Sequence, residues 1–338
     1  MSQTILLAPD SFKGSLSAVD FCELAQQTLH QLDSNLQVIK RPLSDGGEGF
    51  IDAFIVAGMA ERQTRIVQDP LGRAIAADFA WQPATRTAIV EMAQASGLPR
   101  LTISEQNPHI TSTYGTGQLL RAAIELGAKK IILGLGGSAT QDGGVGALQA
   151  LGVDCLAADD EPILKGADAL LELDQIHLKQ PGLAEIEWVI ACDVTNPLLG
   201  ENGSTAVFAP QKGASSASLP ILEASLTHLA TQLNRYYPTD PADIASMPGG
   251  GAAGGMAASF VAILNAKLVS GFDLLSEALQ LPELFESQPI DLVITGEGAI
   301  DEQSRDGKLP FRVAQLADHY QVPTIGLCGK LSLNPSQF

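Results

Sequence analysis

Aspartates and glutamates set inside glycine-rich turns recur along this sequence, a combination suited to handling phosphate. The longest such stretch runs Gly134-Leu135-Gly136-Gly137-Ser138-Ala139-Thr140-Gln141-Asp142-Gly143-Gly144. Its glycines let the backbone turn sharply and come close to a ligand, so main-chain N–H groups of Gly136, Gly137, Ser138, Gly143 and Gly144 can face phosphate oxygens. The Asp142 carboxylate beside them would repel bare phosphate, yet it could hold Mg²⁺ or take a proton from a hydroxyl. Alone, this loop is equally a tight strand-to-helix connection. Recurrence shifts the balance, because Ser44-Asp45-Gly46-Gly47-Glu48-Gly49, Pro248-Gly249-Gly250-Gly251-Ala252-Ala253-Gly254-Gly255 and Thr295-Gly296-Glu297-Gly298 have the same character. Glycine turns weaken a fold entropically, so convergence on a ligand explains four of them better than separate accidents do.

Charge narrows the reading. With 38 acidic against 20 basic residues the net charge is −18, which makes nucleic acid or an anionic membrane surface a poor partner. An anionic ligand must be caught locally, and this singles out lysines inside glycine-containing loops: Lys13 in Asp10-Ser11-Phe12-Lys13-Gly14, Lys212 in Pro210-Gln211-Lys212-Gly213, and Lys308 in Asp306-Gly307-Lys308. The N-terminus carries no basic signal region, and the longest apolar stretch, over 252–264, is too short and too broken by Gly and Ser to span a bilayer. These features read as cytoplasmic. Cys22, Cys155, Cys192 and Cys328 show neither CxxC nor zinc spacing and read as free thiols of a reducing compartment. The histidines lie outside the glycine loops, which leaves protease triads and His-rich metal sites without support. The acidic surface leaves oligomeric state, including a homodimer, undecided.

The elements that must position these residues follow from periodicity. Residues 4–8 form a short apolar strand, turned out into a loop by Pro9-Asp10-Ser11. Ser17 and Asp20 make a capping box ahead of a helix whose Phe21, Leu24, Ala25, Leu29 and Leu32 share a face. A strand over 36–43 delivers Ser44-Asp45-Gly46-Gly47 before a helix that Gly58 stops. Strand, helix, strand, helix opens a parallel, doubly wound sheet, whose ligands bind outside the carboxyl ends of the strands. From 64 to 92 the pattern becomes an antiparallel meander, in which Ile75, Ala77, Phe79 and Trp81 make one apolar face. A helix over 117–126 leads into the strand before the long glycine loop. A further strand, 188–192, ends in Asp193-Val194-Thr195-Asn196-Pro197, and a carboxylate at a strand's end is a usual metal ligand or base, although capping a turn is the commoner duty. Near the end, a strand over 291–295 opens a loop bearing Glu297 and Lys308, and 323–328 is the last strand. The two ends therefore form one discontinuous domain, 1–62 with 286–338, around an inserted domain over 63–285.

No G-x-x-x-x-G-K-[ST] is present, so a P-loop is not supported. Gly134-Leu135-Gly136-Gly137-Ser138-Ala139 does match G-x-G-x-x-A, with Asp154 about 20 residues on, which is the case for a nicotinamide-dependent dehydrogenase of a small hydroxy acid. Against it, Gly143, Gly144 and Gly146 fall where the dinucleotide helix should run, each costing about 1 kcal/mol in a helix interior. A non-catalytic organic-anion-binding module is the other alternative. Neither explains aspartates in glycine loops beside lysines.

Five stretches together resemble one family. Ala8-Pro9-Asp10-Ser11-Phe12-Lys13-Gly14-Ser15, Ser44-Asp45-Gly46-Gly47-Glu48-Gly49, Leu135-Gly136-Gly137-Ser138-Ala139-Thr140-Gln141-Asp142-Gly143-Gly144, Pro210-Gln211-Lys212-Gly213-Ala214 and Ile294-Thr295-Gly296-Glu297-Gly298 are similar to the bacterial glycerate kinases, in that family's order and over nearly the whole chain. The resemblance implies ATP- and Mg²⁺-dependent phosphorylation of D-glycerate, with 2-phosphoglycerate favoured, in glyoxylate, glycerate or sugar-acid breakdown. It also implies a flavodoxin-like parallel domain interrupted by a second α/β domain with a mixed sheet. Family members continue some tens of residues past the strand at 323–328, so the first domain is expected to lack its last helix in this sequence, which ends at Phe338.

Residue type and loop position then suggest roles. Gly136 to Gly144 and Gly249 to Gly255, with Gly250 and Gly251 at the centre, would cradle ATP phosphates, and Lys212 or Lys308 would add positive charge. Asp193 and Glu297 would hold Mg²⁺. Asp45, with Asp142 as rival, would take the hydroxyl proton. Asp10, Ser11, Lys13, Gly46 and Gly47 would grip glycerate, Lys13 meeting its carboxylate.

Overall fold

A computed structural model describes residues 3–12, 15–44, 46–235, 243–300 and 309–332. Lys13, Asp45 and Lys308 lie outside them. The chain divides into two compact units, Met1–Ala60 with Ser270–Phe338, and Glu61–Val269.

In chain order, β1 (Thr4–Leu7), α1 (Ala18–Leu32), β2 (Gln37–Lys40) and α2 (Phe50–Val56) make the strand–helix pairs of the first unit. The second unit opens with β3 (Glu61–Gln68), β4 (Ala74–Gln82) and β5 (Thr87–Glu91), followed by α3 (Ala93–Ser96), α4 (Tyr114–Glu125), β6 (Lys130–Gly134) and α5 (Val145–Ala150). A small hairpin of β7 (Asp154–Leu156) and β8 (Gln175–His177) precedes β9 (Glu187–Ala191), α6 (Ser204–Phe208), α7 (Leu219–Leu233), α8 (Ala252–Leu264) and β10 (Lys267–Val269). The chain then returns to the first unit with α9 (Gly271–Ala278), α10 (Leu281–Ser287), β11 (Leu292–Ile300), α11 (Leu309–His319) and β12 (Thr324–Leu331). The return falls at Ser270, earlier than residue 286, because β10 pairs with β9 and is the last strand the second unit can use.

The first unit's sheet is parallel throughout, in the order β12-β11-β1-β2. Renumbered within the unit this is 2-1-3-4, the beginning of a flavodoxin-like order. Helix α1 starts at the N-cap Ser17, whose Oγ accepts the Asp20 N–H at 3.0 Å, and the Ser17 hydroxyl donates to Asp20 Oδ2 at 2.7 Å, so the side-chain half of the expected capping box ends on the hydroxyl. Its apolar face, Phe21, Cys22, Ala25 and Leu29, packs with Ile5, Leu7 and Ile294 of the sheet.

The second unit has a mixed six-stranded sheet, β10-β9-β6-β5-β4-β3. The meander β3, β4, β5 is antiparallel, and β5, β6, β9 and β10 run parallel. Ala77, Phe79 and Trp81 of β4 enter the main core with Val90, Leu133 and Ile190, as the alternation requires.

One expected loop is a strand. Thr295, Gly296, Glu297 and Gly298 lie inside β11, where Gly296 opposes Leu327 and Glu297 opposes Cys328. The ladder continues because Gly296 lacks a side chain: a Cβ there would come within 2.2 Å of the Leu327 carbonyl oxygen.

Candidate functional site

Each unit presents its candidate residues at the carboxyl edge of its own parallel strands. In the second unit, the register places Glu91, Gly134, Ala191 and Val269 in one row across β5, β6, β9 and β10. Just beyond that row come the Gly136 turn after β6 and Cys192-Asp193 after β9. Ala88, Val90 and Met92 point into the main core, so alternation turns Ile89 and Glu91 to the opposite face. There, Ile89, Ile132 and Val189 form an apolar row, and Glu91 stands one step nearer the edge, opposite Gly134, with Ala191 next in the same row. Glu91 is buried. Sequence reading missed it, although a carboxylate ending an apolar strand is the signal that singled out Asp193.

The glycine loop divides into an open and a closed half. In the open half, the carbonyls are held: Leu98 donates its N–H to the Gly137 carbonyl at 2.9 Å, and Thr111 Oγ1 donates to that of Ala139 at 2.9 Å. The N–H groups of Gly136, Gly137 and Ser138 have no partner among the described residues. Gly137 is exposed and adopts φ +73°, a conformation open to glycine. These three amides can serve an anion.

The closed half cannot, which corrects the expectation for Gly143 and Gly144. The Gly143 N–H donates to the Gly254 carbonyl at 2.9 Å, and that of Gly144 to Asp142 Oδ1 at 3.2 Å. Gly250 and Gly251 are withdrawn as well, since their amides donate to the carbonyls of Met247 and Asn196 at 2.9 and 3.0 Å. The glycines here serve close packing. In α8, Ala253, Gly254 and Gly255 are left-handed, so its regular turns begin only after them.

Asp142 is a structural acceptor. It is buried, and Oδ2 receives the Thr113 N–H at 2.8 Å, Thr113 Oγ1 at 2.9 Å and Ser112 Oγ at 3.3 Å. Burial raises its pKa, and the donors from Thr113, Gly144 and Gly146 oppose that rise. A carboxylate so enclosed has no open lone pair for a substrate hydroxyl, which argues against its rival role as base.

Lys212 is equally enclosed, and its expected direct contact with phosphate is corrected. The ammonium is 1% exposed and donates to the Thr140 carbonyl at 2.7 Å and to Gln141 Oε1 at 3.4 Å. Burial lowers its pKa to about 7, with Asp142 pulling the other way. Gln141 in turn donates to Ser204 Oγ and Thr205 Oγ1, and Ser204 Oγ to the Gly251 carbonyl.

In the first unit, Asp10 and Ser11 follow β1 and are buried. The Asp10 N–H donates to the Gly296 carbonyl at 2.8 Å, and the Ser11 N–H to Asp10 Oδ1 at 2.6 Å. Gly46 and Gly47 follow β2 and are also buried, and Glu297 is 9% exposed on β11. Thus Asp10, Ser11, Gly46, Gly47 and Glu297 share one sheet edge, while Gly136, Gly137, Ser138, Asp193 and the unforeseen Glu91 share the other. Arg41, immediately after β2, was also missed; burial lowers its pKa and its Nε is buried without a partner.

Among the described residues no group of three or more His, Cys, Asp or Glu could hold a metal ion, and no helix is long and apolar enough to cross a membrane. The thiols of Cys22 and Cys155 are buried and pushed up to about 12, which makes them inert. The dinucleotide alternative loses its geometry, because α5 begins only at Val145 and is six residues long, so no helix starts at the Gly136 turn.

A family model described as the glycerate kinase family matches residues 5–338. The chain is 41% identical over 330 residues to the Glycerate 2-kinase of Escherichia coli K12, covering 97% of this chain and 85% of that protein. It is 42% identical over 330 residues to the Glycerate kinase of Halalkalibacterium halodurans, covering 97% and 86%. A crystal structure of a protein described as glycerate kinase 2 from Salmonella typhimurium LT2 superposes with a TM-score of 0.84 at 39% identity, covering 98% of this chain and 87% of that one.

Proposed function

The chain belongs to the glycerate kinase family, and from that premise we propose that it transfers the γ-phosphoryl group of ATP to the 2-hydroxyl of D-glycerate. The observation that carries this reading is the continuity of the likeness to the Escherichia coli Glycerate 2-kinase, which spans 97% of the chain and hence both units.

In the reaction, the glycerate hydroxyl oxygen bonds to the γ-phosphorus, the bond from that phosphorus to the β–γ bridging oxygen breaks, and the hydroxyl proton leaves to a base. Such transfer asks the protein mainly for positioning and charge neutralisation. The amides of Gly136, Gly137 and Ser138 face the phosphates. The carboxylates of Asp193 and Glu91 suit Mg²⁺, a hard cation usually held by one or two carboxylates together with substrate phosphates. When bound, Mg²⁺ supplies the positive charge that offsets the phosphates. Glu297 is a further metal candidate on the first unit's edge. Asp10, Ser11, Gly46 and Gly47 grip glycerate, Lys13 meets its carboxylate and Asp45 takes the hydroxyl proton. Lys308 adds charge at the phosphates. Dependence on ATP and cysteines that form no disulfide suit the cytoplasm.

A coupled assay for ADP release with D-glycerate, ATP and Mg²⁺, followed by phosphorus NMR of the product, tests the proposal. ADP release with a 2-phosphoglycerate signal is expected. A 3-phosphoglycerate signal would overturn the regiochemistry, and no release from folded protein would overturn the kinase reading.

A further inference from the structure

The backbone from Gly137 to Thr140 is held by its carbonyls. Those of Gly137 and Ala139 are bonded by the Leu98 N–H and Thr111 Oγ1, and the Ala139 N–H is tied to the Ser96 carbonyl at 3.0 Å. The next carbonyl along, that of Thr140, is taken by the Lys212 ammonium at 2.7 Å. Both acceptors of this buried cation are neutral oxygens, an arrangement costly to desolvate and so in need of a reason. The ammonium also reaches, through Gln141, the start of α6 and the Gly251 carbonyl. One side chain thereby joins the glycine loop to three other segments of the second unit.

From this geometry we infer that Lys212 is a positioning residue for the ATP phosphates: by holding the Thr140 carbonyl it fixes the peptide run that presents the free amides of Gly136, Gly137 and Ser138, and it does so without touching the phosphates. The inference rests on the kinase reading above. Preorganised backbone donors act because their orientation is settled before the ligand arrives. Loss of the ammonium frees the Thr140 peptide and lets the amides swing, which weakens the grip on ATP and leaves glycerate recognition, assigned to the first unit, largely untouched.

The test compares wild type, Lys212→Met and Lys212→Arg by steady-state kinetics and by amide hydrogen exchange. Lys212→Met is expected to raise the ATP KM at least tenfold and to leave the glycerate KM within twofold. It should speed exchange in the peptide covering 136–140 while the rest of the second unit exchanges as before. Lys212→Arg, which keeps charge and donors, should recover part of the ATP KM. An unchanged ATP KM in folded Lys212→Met, or ATP and glycerate KM rising together, would overturn the role. Should Lys212→Met show no cooperative unfolding, Lys212→Gln is read by the same criteria. Independently of any variant, wild-type amides over 136–138 that show no slowing on ADP binding would also overturn it. Wild-type protein that releases no ADP sinks the kinase reading itself, whereas active wild type with an indifferent variant sinks only the role of Lys212.

Discussion

The Gly143 N–H donates to the Gly254 carbonyl at 2.9 Å, so two glycine loops far apart in sequence meet as structural partners. Both residues are left-handed. A Cβ on Gly143 would lie 2.0 Å from Leu229 Cδ2, and one on Gly254 would lie 2.2 Å from the Thr140 carbonyl oxygen. Gly254→Ala is therefore expected to destabilise by about 3 kcal/mol or more, from the left-handed penalty plus overpacking. Gly200, left-handed with open space around its Cβ position, should lose only about 1 kcal/mol on the same change. Urea denaturation of the two variants checks the contrast, and equal losses would contradict the packing role.

Asp142→Asn would turn an acceptor oxygen into a donor facing other donors. The backbone amides of Thr113, Gly144 and Gly146 and the hydroxyls of Ser112 and Thr113 would then compete for what remains. We expect a loss of about 2–4 kcal/mol in urea denaturation. A variant of full stability with kcat abolished would instead restore Asp142 as the proton acceptor.

Lys212 makes stability depend on pH in a defined direction. Burial lowers its pKa from 10.5 to about 7, so between these values the unfolded chain holds more protons at this residue than the folded chain does. Stability from this group therefore rises with pH across that window, and its desolvation penalty is complete below about 7. Asp142, whose pKa burial raises, has the opposite sign and is present in both proteins compared. Wild type should gain stability relative to Lys212→Met from neutral to alkaline pH, measured by urea denaturation across the range. A pH-independent difference would show that Lys212 keeps its ordinary pKa.

Glu91 and Asp193 belong to neighbouring parts of one sheet edge, with Gly134 between their strands. Glu91→Gln and Asp193→Asn are each expected to lower kcat by about 10²-fold or more, the scale for losing one electrostatic contact to a transferring group. Each should also weaken binding of Mn²⁺ with ADP, followed by electron paramagnetic resonance. Undiminished Mn²⁺ binding in both variants would take the metal away from this edge.

Much of the fold was legible because its signals are local. The Ser17 N-cap, the alternation of Ala77, Phe79 and Trp81, and the apolar strand ending at Gly134 each act over a few residues, and each appears where the local pattern put it. Thr295 to Gly298 misled for the opposite reason. Glycines read as a turn from sequence, whereas here Gly296 lets β11 lie close against Leu327 of β12, a partner that local pattern does not announce.

The sequence by itself determined the family, the carboxylates at strand ends and the set of glycine loops, since these are residue types at fixed spacing. Only the tertiary structure decided which amides and charges are available. Hydrogen-bond capacity is exhausted by whichever partner folding brings near: Gly143 by Gly254, Gly251 by Asn196, Asp142 by Thr113 and Lys212 by Thr140. Gly136, Gly137 and Ser138 keep theirs because their neighbours bind carbonyls instead. Composition cannot distinguish a glycine that packs from one that binds, because the difference lies in contacts made across the chain.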